Sequence, residues 1–274
     1  MNHASARIDL PRLFGVTRPL VGMIHLPPLP GAPGAAPTPG PALERALSDL
    51  SALEKGGVDA VLVENYGDAP FQPRRVPRLT LAALTRIVAA VVERSARPVG
   101  VNVLRNDAHS ALAIAAATGA RFIRVNVHVG AMVTDQGWIE GRAHHTVRMR
   151  DRTAPAVAIL ADVFVKHAVP PPGLTLERAA ADTWERGHAD ALVLSGSATG
   201  IGADPGDLDR LRAAVPGAPI WLGSGLSTQS AADWVPRIDG AIVGSALQQG
   251  GRAGAPVERS RVASLREAWD AALR

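Results

Sequence analysis

Asp162, Lys166 and His167 follow a run of small and branched apolar residues that begins at Ala154, so an acid and two bases stand where a buried strand should end. Burial lowers an ammonium pKa and turns a lysine into an acid, a base or an imine former. Lys166 and Lys55 are the only lysines in a chain with 29 Lys plus Arg. Lys55 closes a helical stretch ahead of Gly56 and Gly57, where a cation suits the helix dipole. The plainer role for Lys166 is an ion pair with Asp162 that holds a loop.

Other apolar runs end the same way: on His25, on Glu64 and Asn65, on Asn102 with Asn106 and Asp107, on Asn126 and His128, and on Ser195, Ser224 and Ser245. Arg124, Asn126 and His128 share one face of a strand by period two, opposite Ile123, Val125 and Val127, and are expected to point inward. Gathering this many polar groups costs stability unless they satisfy one another or bind a ligand.

The elements that must position these residues recur eight times. Strands are expected at 20–25, 58–63, 98–103, 121–127, 156–165, 189–194, 220–222 and 240–243. Each is followed by a helical pattern, at 41–55, 80–94, 107–118, 139–151, 175–186, 205–215, 228–234 and 257–273. Eight strand-then-helix units predict an α/β fold, a closed parallel (β/α)8 TIM barrel, as one domain over 1–274 with residues 1–18 as a leader packing on one end. An open doubly wound sheet is the alternative. In a barrel the strand ends share one mouth, which makes the polar set a candidate small-molecule site.

With 274 residues, 47% hydrophobic and 20% charged, the chain suffices for one barrel-sized domain. Having no Cys, it lacks disulfides, thiolate nucleophiles and cysteine metal sites. The net charge of +4 comes from arginines spread among acidic residues, and one Tyr and four Phe offer little to stack on bases, so no nucleic-acid partner is expected. No apolar run approaches the ~18 residues of a membrane span, so membrane insertion is not expected and a cytoplasmic location is.

Glycine-bearing turns follow the last three strands: SGSATG at 195–200, then Gly223, Ser224 and Gly225, then Gly244 and Ser245. Such turns let backbone N–H groups approach an anion, and barrels commonly hold phosphate after strands seven and eight. Thr199, Gly200, Gly223, Ser224, Gly225, Gly244 and Ser245 are therefore the candidate phosphate-binding residues, although glycines also simply turn corners. The stiff segment 26–41, which opens LPPLPG, is expected to cover the site as a lid.

The segments VGMIHLPPLPG (21–31), VENYGDAPF (63–71), GVNVLRND (100–107), DQG (135–137), ADV (161–163) with KHA (166–168), TG (199–200), GSG (223–225) and VGS (243–245) resemble the BtpA/SgcQ family of (β/α)8 proteins. The resemblance spans nearly the whole chain. It implies a barrel with a phosphate-type site. The family's founding role is accumulation of photosystem I in cyanobacteria, while members in non-photosynthetic bacteria and archaea look like enzymes. Where the family usually has Asn and Lys, this chain has Ser230 and Gln248.

Two functions follow. The first is an enzyme acting on a phosphorylated or anionic small molecule, sugar- or nucleoside-like, by acid-base or imine chemistry of the isomerase, lyase or glycosidic-bond-cleaving type. Asp162 is its expected general base, Lys166 its acid or imine former, His25 or His167 a proton shuttle and Glu64 a second carboxylate. Asn65, Asn102, Asn126, His128 and Ser195 are the expected substrate-binding residues. No cofactor is required, but a divalent metal on His25, Glu64, Asp162 and His167 is an alternative. The second function is a non-catalytic biogenesis or assembly factor of the photosystem I type. Either is compatible with a homo-oligomer.

Overall fold

A computed structural model describes residues 7–196 and 202–274. The chain begins with α1 (Leu10–Phe14), then β1 (Leu20–His25), α2 (Gly40–Gly56), β2 (Ala60–Glu64), α3 (Arg78–Arg94), β3 (Val99–Asn102), α4 (Ala108–Thr118) and β4 (Phe122–Val125). It continues through β5 (Ala131–Thr134), β6 (Gly137–Glu140), α5 (Ala143–Thr153), β7 (Ala158–Asp162), β8 (Ala168–Val169), α6 (Leu176–Ala181) and β9 (Ala191–Leu194). Last come α7 (Pro205–Ala214), β10 (Ile220–Leu222), α8 (Ala231–Trp234), β11 (Gly240–Val243) and α9 (Arg259–Leu273). Eight of these strands close a parallel barrel in the order β1, β11, β10, β9, β7, β4, β3, β2, as expected for a TIM barrel in a single domain.

Period-two alternation sorts the strand residues. Val21, Met23, Ala60, Leu62, Phe122, Leu160, Val193, Trp221 and Ile242 fill the barrel interior, while Leu20, Ile24, Val61, Val63, Val101 and Ile123 pack under the helices. Large and small residues interdigitate: a Cβ at Gly100 would lie 2.3 Å from the Phe122 ring. Above the apolar layers the next inward residue is polar on six strands, His25, Glu64, Asn102, Arg124, Asp162 and Ser195, and glycine on β10 and β11, Gly223 and Gly244. α1 closes the opposite end, where the Phe14 ring sits 5.2 Å from both Phe122 and Trp221. The Ile8 amide donates to Asp190 Oδ1 at 2.8 Å, tying the leader down.

Three expectations change. The loop left between the fourth strand and the helix expected at 139–151 holds the hairpin β5–β6, which takes Ile139 and Glu140 from that helix and which β8 extends into a three-stranded sheet. Gly137 at φ 88° makes its turn, and Met132 and Ile139 are buried while Val133 and Trp138 face outward. α5 therefore starts only at Ala143. Thr80 does not open its helix, which starts at Arg78, and its hydroxyl donates to the Pro30 carbonyl at 3.1 Å.

The proline-rich segment is the third, since it is packed down rather than held over the mouth. Leu26 and Leu29 are buried, the Leu29 amide donates to Asp68 Oδ1 at 2.8 Å, and a Cβ on Gly67 would lie 2.5 Å from Pro28 N. No helix among the described residues is long and apolar enough to cross a membrane.

Candidate active site

The C-terminal ends of the barrel strands surround a cavity of about 280 Å³. That volume suits a small metabolite rather than a polymer. Its wall includes His25, Glu64, Asn126, Lys166 and His167, together with Gly223 to Leu226 and Gly244 to Ala246.

Asp162 is the anchor beneath it. β4 pairs with β7 so that Arg124 lies opposite Leu160, and the long guanidinium reaches on to the carboxylate at the strand end. Arg124 Nη2 donates to Asp162 Oδ1 at 2.8 Å and its Nε to Oδ2 at 3.0 Å. Ser195 Oγ donates to Oδ1 at 3.0 Å and Asn126 Nδ2 to Oδ2 at 3.1 Å. Both oxygens are thus doubly bonded to donors, and Asp162 is 2% exposed. This turns the geometry against the general-base expectation: a carboxylate whose four lone-pair sites are all taken, and which does not line the cavity, has none free to accept a substrate's proton. It is a positioning residue that fixes Arg124, Asn126 and Ser195.

Glu64, on the neighbouring side, accepts a 2.6 Å bond from Asn102 Nδ2 and lies 3.7 Å from His25 Nε2 through its other oxygen. The His25 ring stacks on Tyr66 at 4.4 Å. The Gly254 amide donates to His25 Nδ1 at 3.2 Å, and Gln248 Nε2 lies 3.0 Å from the same nitrogen. A backbone N–H can only donate, so Nδ1 is the acceptor and the proton of the neutral ring sits on Nε2, facing Glu64. Burial holds the His25 pKa below the usual histidine value, although Glu64 and Gln248 oppose it. Gln248, standing where the family usually has Lys, is fully buried behind His25 and is not part of the glycine-lined wall.

Lys166 reaches the cavity from the loop after β7. No ion pair or side-chain hydrogen bond holds its amine among the described residues, so the structural pairing with Asp162 is not formed. Burial, reinforced by Arg124 and opposed by Asp162 and Glu64, lowers its pKa to about 8. His167 sits at the exposed rim with φ 55°.

The remaining expected residues divide by position. Asn65 is turned into its own loop, donating to Asp68 Oδ2 at 2.9 Å and accepting from the Leu104 amide at 2.7 Å, and does not reach the cavity. Asn102 and Ser195 lie behind Glu64 and Asp162. His128 is turned away from the cavity altogether, with Nε2 2.8 Å from the Gly187 carbonyl and its pKa lowered by burial to about 4. Gly223, Ser224, Gly225, Gly244 and Ser245 share one wall. Thr199 and Gly200 lie outside the described residues.

Gly223 cannot be replaced freely, because a Cβ there would stand 2.5 Å from Ser195 Oγ and 3.2 Å from Arg124 Nη2. The wall also holds residues not chosen from the sequence: Arg105, Tyr66 and Phe71. Two of them had a signal: Tyr66 is the chain's single tyrosine, and Arg105 stands between Asn102 and Asn106, both singled out as strand-end groups.

Among the described residues, no three His, Asp or Glu side chains form a group able to hold a metal ion. The donor atoms of the expected set are turned elsewhere, His25 Nδ1 to Gly254 and Asp162 to Arg124. The residues present do not fit that metal site.

Solved barrels share the fold. The chain matches thiamine phosphate pyrophosphorylase from Pyrococcus furiosus with a TM-score of 0.57 at 16% identity, covering 94% of this chain and 98% of that one. It matches phosphoribosyl anthranilate isomerase from Thermococcus kodakaraensis with a TM-score of 0.54 at 18% identity, covering 93% and 99%. In sequence it is 43% identical to the photosystem I biogenesis protein BtpA of Synechocystis, over 97% of this chain and 93% of that protein. It is also 43% identical to an uncharacterized protein of Thermococcus kodakarensis, over 91% of this chain and 94% of that one. The BtpA family model matches residues 16–271, and the chain belongs to the BtpA family.

Proposed function

We propose that the cavity is the active site of an enzyme acting on a phosphorylated or otherwise anionic small molecule, sugar- or nucleoside-like, by acid-base or imine chemistry of the isomerase or lyase type. The observation that carries this reading is the Lys166 amine, unpaired among the described residues and with a pKa lowered to about 8, opening on the same cavity as Glu64, His25 and the glycine-lined wall. A substantial fraction of that amine is neutral near pH 8, and a neutral amine attacks a carbonyl carbon, loses water and leaves an iminium that draws electrons from the adjacent bond. Glu64, held by Asn102 Nδ2 at 2.6 Å, then takes the proton from the adjacent carbon to leave an enamine and delivers it back to a substrate carbon to re-form the iminium. Water hydrolyses the iminium and returns the free lysine. In the acid-base version Glu64 removes the same proton while protonated Lys166 faces the substrate oxygen.

The wall from Gly223 to Leu226 and from Gly244 to Ala246 stands after the seventh and eighth barrel strands, where this fold commonly binds phosphate. The names of the two structural relatives carry phosphorylated compounds, which favours the same class.

Borohydride reduction in the presence of phosphorylated aldehydes and ketones tests the imine version. The expected product is a covalent adduct on Lys166, absent from Lys166→Met. An adduct that maps elsewhere, or turnover that survives Lys166→Met unchanged, removes the role given to this lysine.

A second reading is a non-catalytic assembly factor, as the name of the Synechocystis relative implies. The observation in its favour is the cross-strand row Val133, Trp138 and Val169 on the outer face of the small sheet, 42%, 52% and 66% exposed. On that reading Trp138→Ser abolishes function and Lys166→Met does not. The enzyme reading expects the reverse.

A further inference from the structure

Three arginines are buried among the described residues, and they are not alike. Arg124 meets Asp162 at 2.8 Å and Arg150 meets Asp190 at 3.0 Å. Arg105, 7% exposed, has no carboxylate within 4 Å among the described residues. Its side chain makes one hydrogen bond, from Nη2 to the Lys166 carbonyl at 2.5 Å, which leaves most of a five-donor fork without an acceptor. A buried guanidinium that Asp162, Glu64 and Asp135 offset only from a distance, with no carboxylate in contact, is costly, and the cost is relieved when an anion completes it. Arg105 also lines the cavity, so that anion can arrive from solution.

Its position sets the geometry. Arg105 follows β3, and the turn from Gly223 to Leu226 follows β10. In the ring order β1, β11, β10, β9, β7, β4, β3, β2 these two strands are four places apart of eight, on opposite sides of the mouth. The cavity therefore has a glycine-lined wall on one side and a bare guanidinium on the other. Of the charged side chains that line it, Arg105, Arg124 and Lys166 stand with Glu64 alone, and although Asp162 beneath offsets Arg124 and Asp135 also acts on Arg105, neither carboxylate touches the Arg105 fork.

We infer that the substrate carries a second anionic group, a carboxylate or a phosphate, seated on the Arg105 fork across the mouth from the glycine turns. This rests on the reading of the glycine-lined wall as a phosphate seat and adds the second end of the ligand. The plain competitor is that Arg105 only ties down the Lys166 carbonyl.

Calorimetric binding to the full chain separates these with two probe pairs, each differing by one anionic group. The pairs are glycerol 3-phosphate against 3-phosphoglycerate, and fructose 6-phosphate against fructose 1,6-bisphosphate. The first reports a carboxylate seat and the second a phosphate seat. The inference expects the doubly anionic member of at least one pair to bind about tenfold more tightly than its partner. In Arg105→Gln, which keeps a donor for the Lys166 carbonyl, the preference falls to about twofold or less while the singly anionic member binds as before. Arg105→Lys keeps the charge without the fork and should retain part of the preference.

The inference is overturned if the wild-type chain binds the singly anionic members and shows no preference in either pair, a result that needs no variant. It is also overturned if the preference persists in Arg105→Gln, or if that variant weakens both members equally, which is the signature of a structural latch. Failure of all four probes to bind the wild-type chain is a different result, since it removes the phosphate reading of the opposite wall and this inference with it.

Discussion

Asp162 and Lys166 lie four residues apart and exchange the prominence that their types suggest. The acid is saturated by Arg124, Asn126 and Ser195, and the amine beside it is left open to the cavity. Arg124→Met strands a buried carboxylate, and a loss of about 3–5 kcal/mol in urea unfolding at pH 7 is expected. For Lys166 the folded pKa of about 8 lies below the ordinary 10.5, so between these values the unfolded chain binds more protons than the folded one. Stability tied to this group is therefore lowest below pH 8 and rises toward pH 10.5. Urea unfolding of wild type and Lys166→Met across that window should show the upward slope in the wild type alone. Imine trapping should climb through pH 8 and level off above it. The sequence showed that an acid and an amine end this strand, but not which would be neutralised. That depended on the register placing Arg124 opposite Leu160, a relation between two segments that neither segment states.

At the scale of elements, the strands were easier to place than the loops between them. Period-two alternation of branched residues is a local signal and set each strand within a few residues. The hairpin β5–β6 was missed because four-residue strands are too short for their alternation to stand out from a loop. The proline-rich segment was misjudged as a lid because its stiffness is visible in sequence, while Asp68 and Gly67, which hold it down, lie on another loop. The turn after β10 is the most constrained of the site's loops. Gly223→Ala should push a methyl into Ser195 Oγ and Val193, destabilise the chain by about 1–3 kcal/mol and weaken ligand binding, as read by unfolding and calorimetry on one preparation. Trp138→Ser, on the exposed face of the small sheet, should change stability by no more than about 0.5 kcal/mol.

Across the whole molecule, the closed barrel was legible because eight alternations of one unit leave few ways to bury every strand on both faces. The polar layer at the mouth followed from the same regularity, since the inward residues of successive strands rise together from Met23, Leu62 and Leu160 to His25, Glu64 and Asp162. At the other end, Phe14 fills the space between Phe122 and Trp221, so Phe14→Ala should lower unfolding stability by about 3–5 kcal/mol. Ile8 is tied to Asp190, and Phe14 rests on Trp221. The segment ahead of β1 thus has no resting place until the strands some two hundred residues further along have been translated. Until then its oily side chains travel uncovered, and nascent molecules that stall before Trp221 emerges should depend on chaperones that cover this segment.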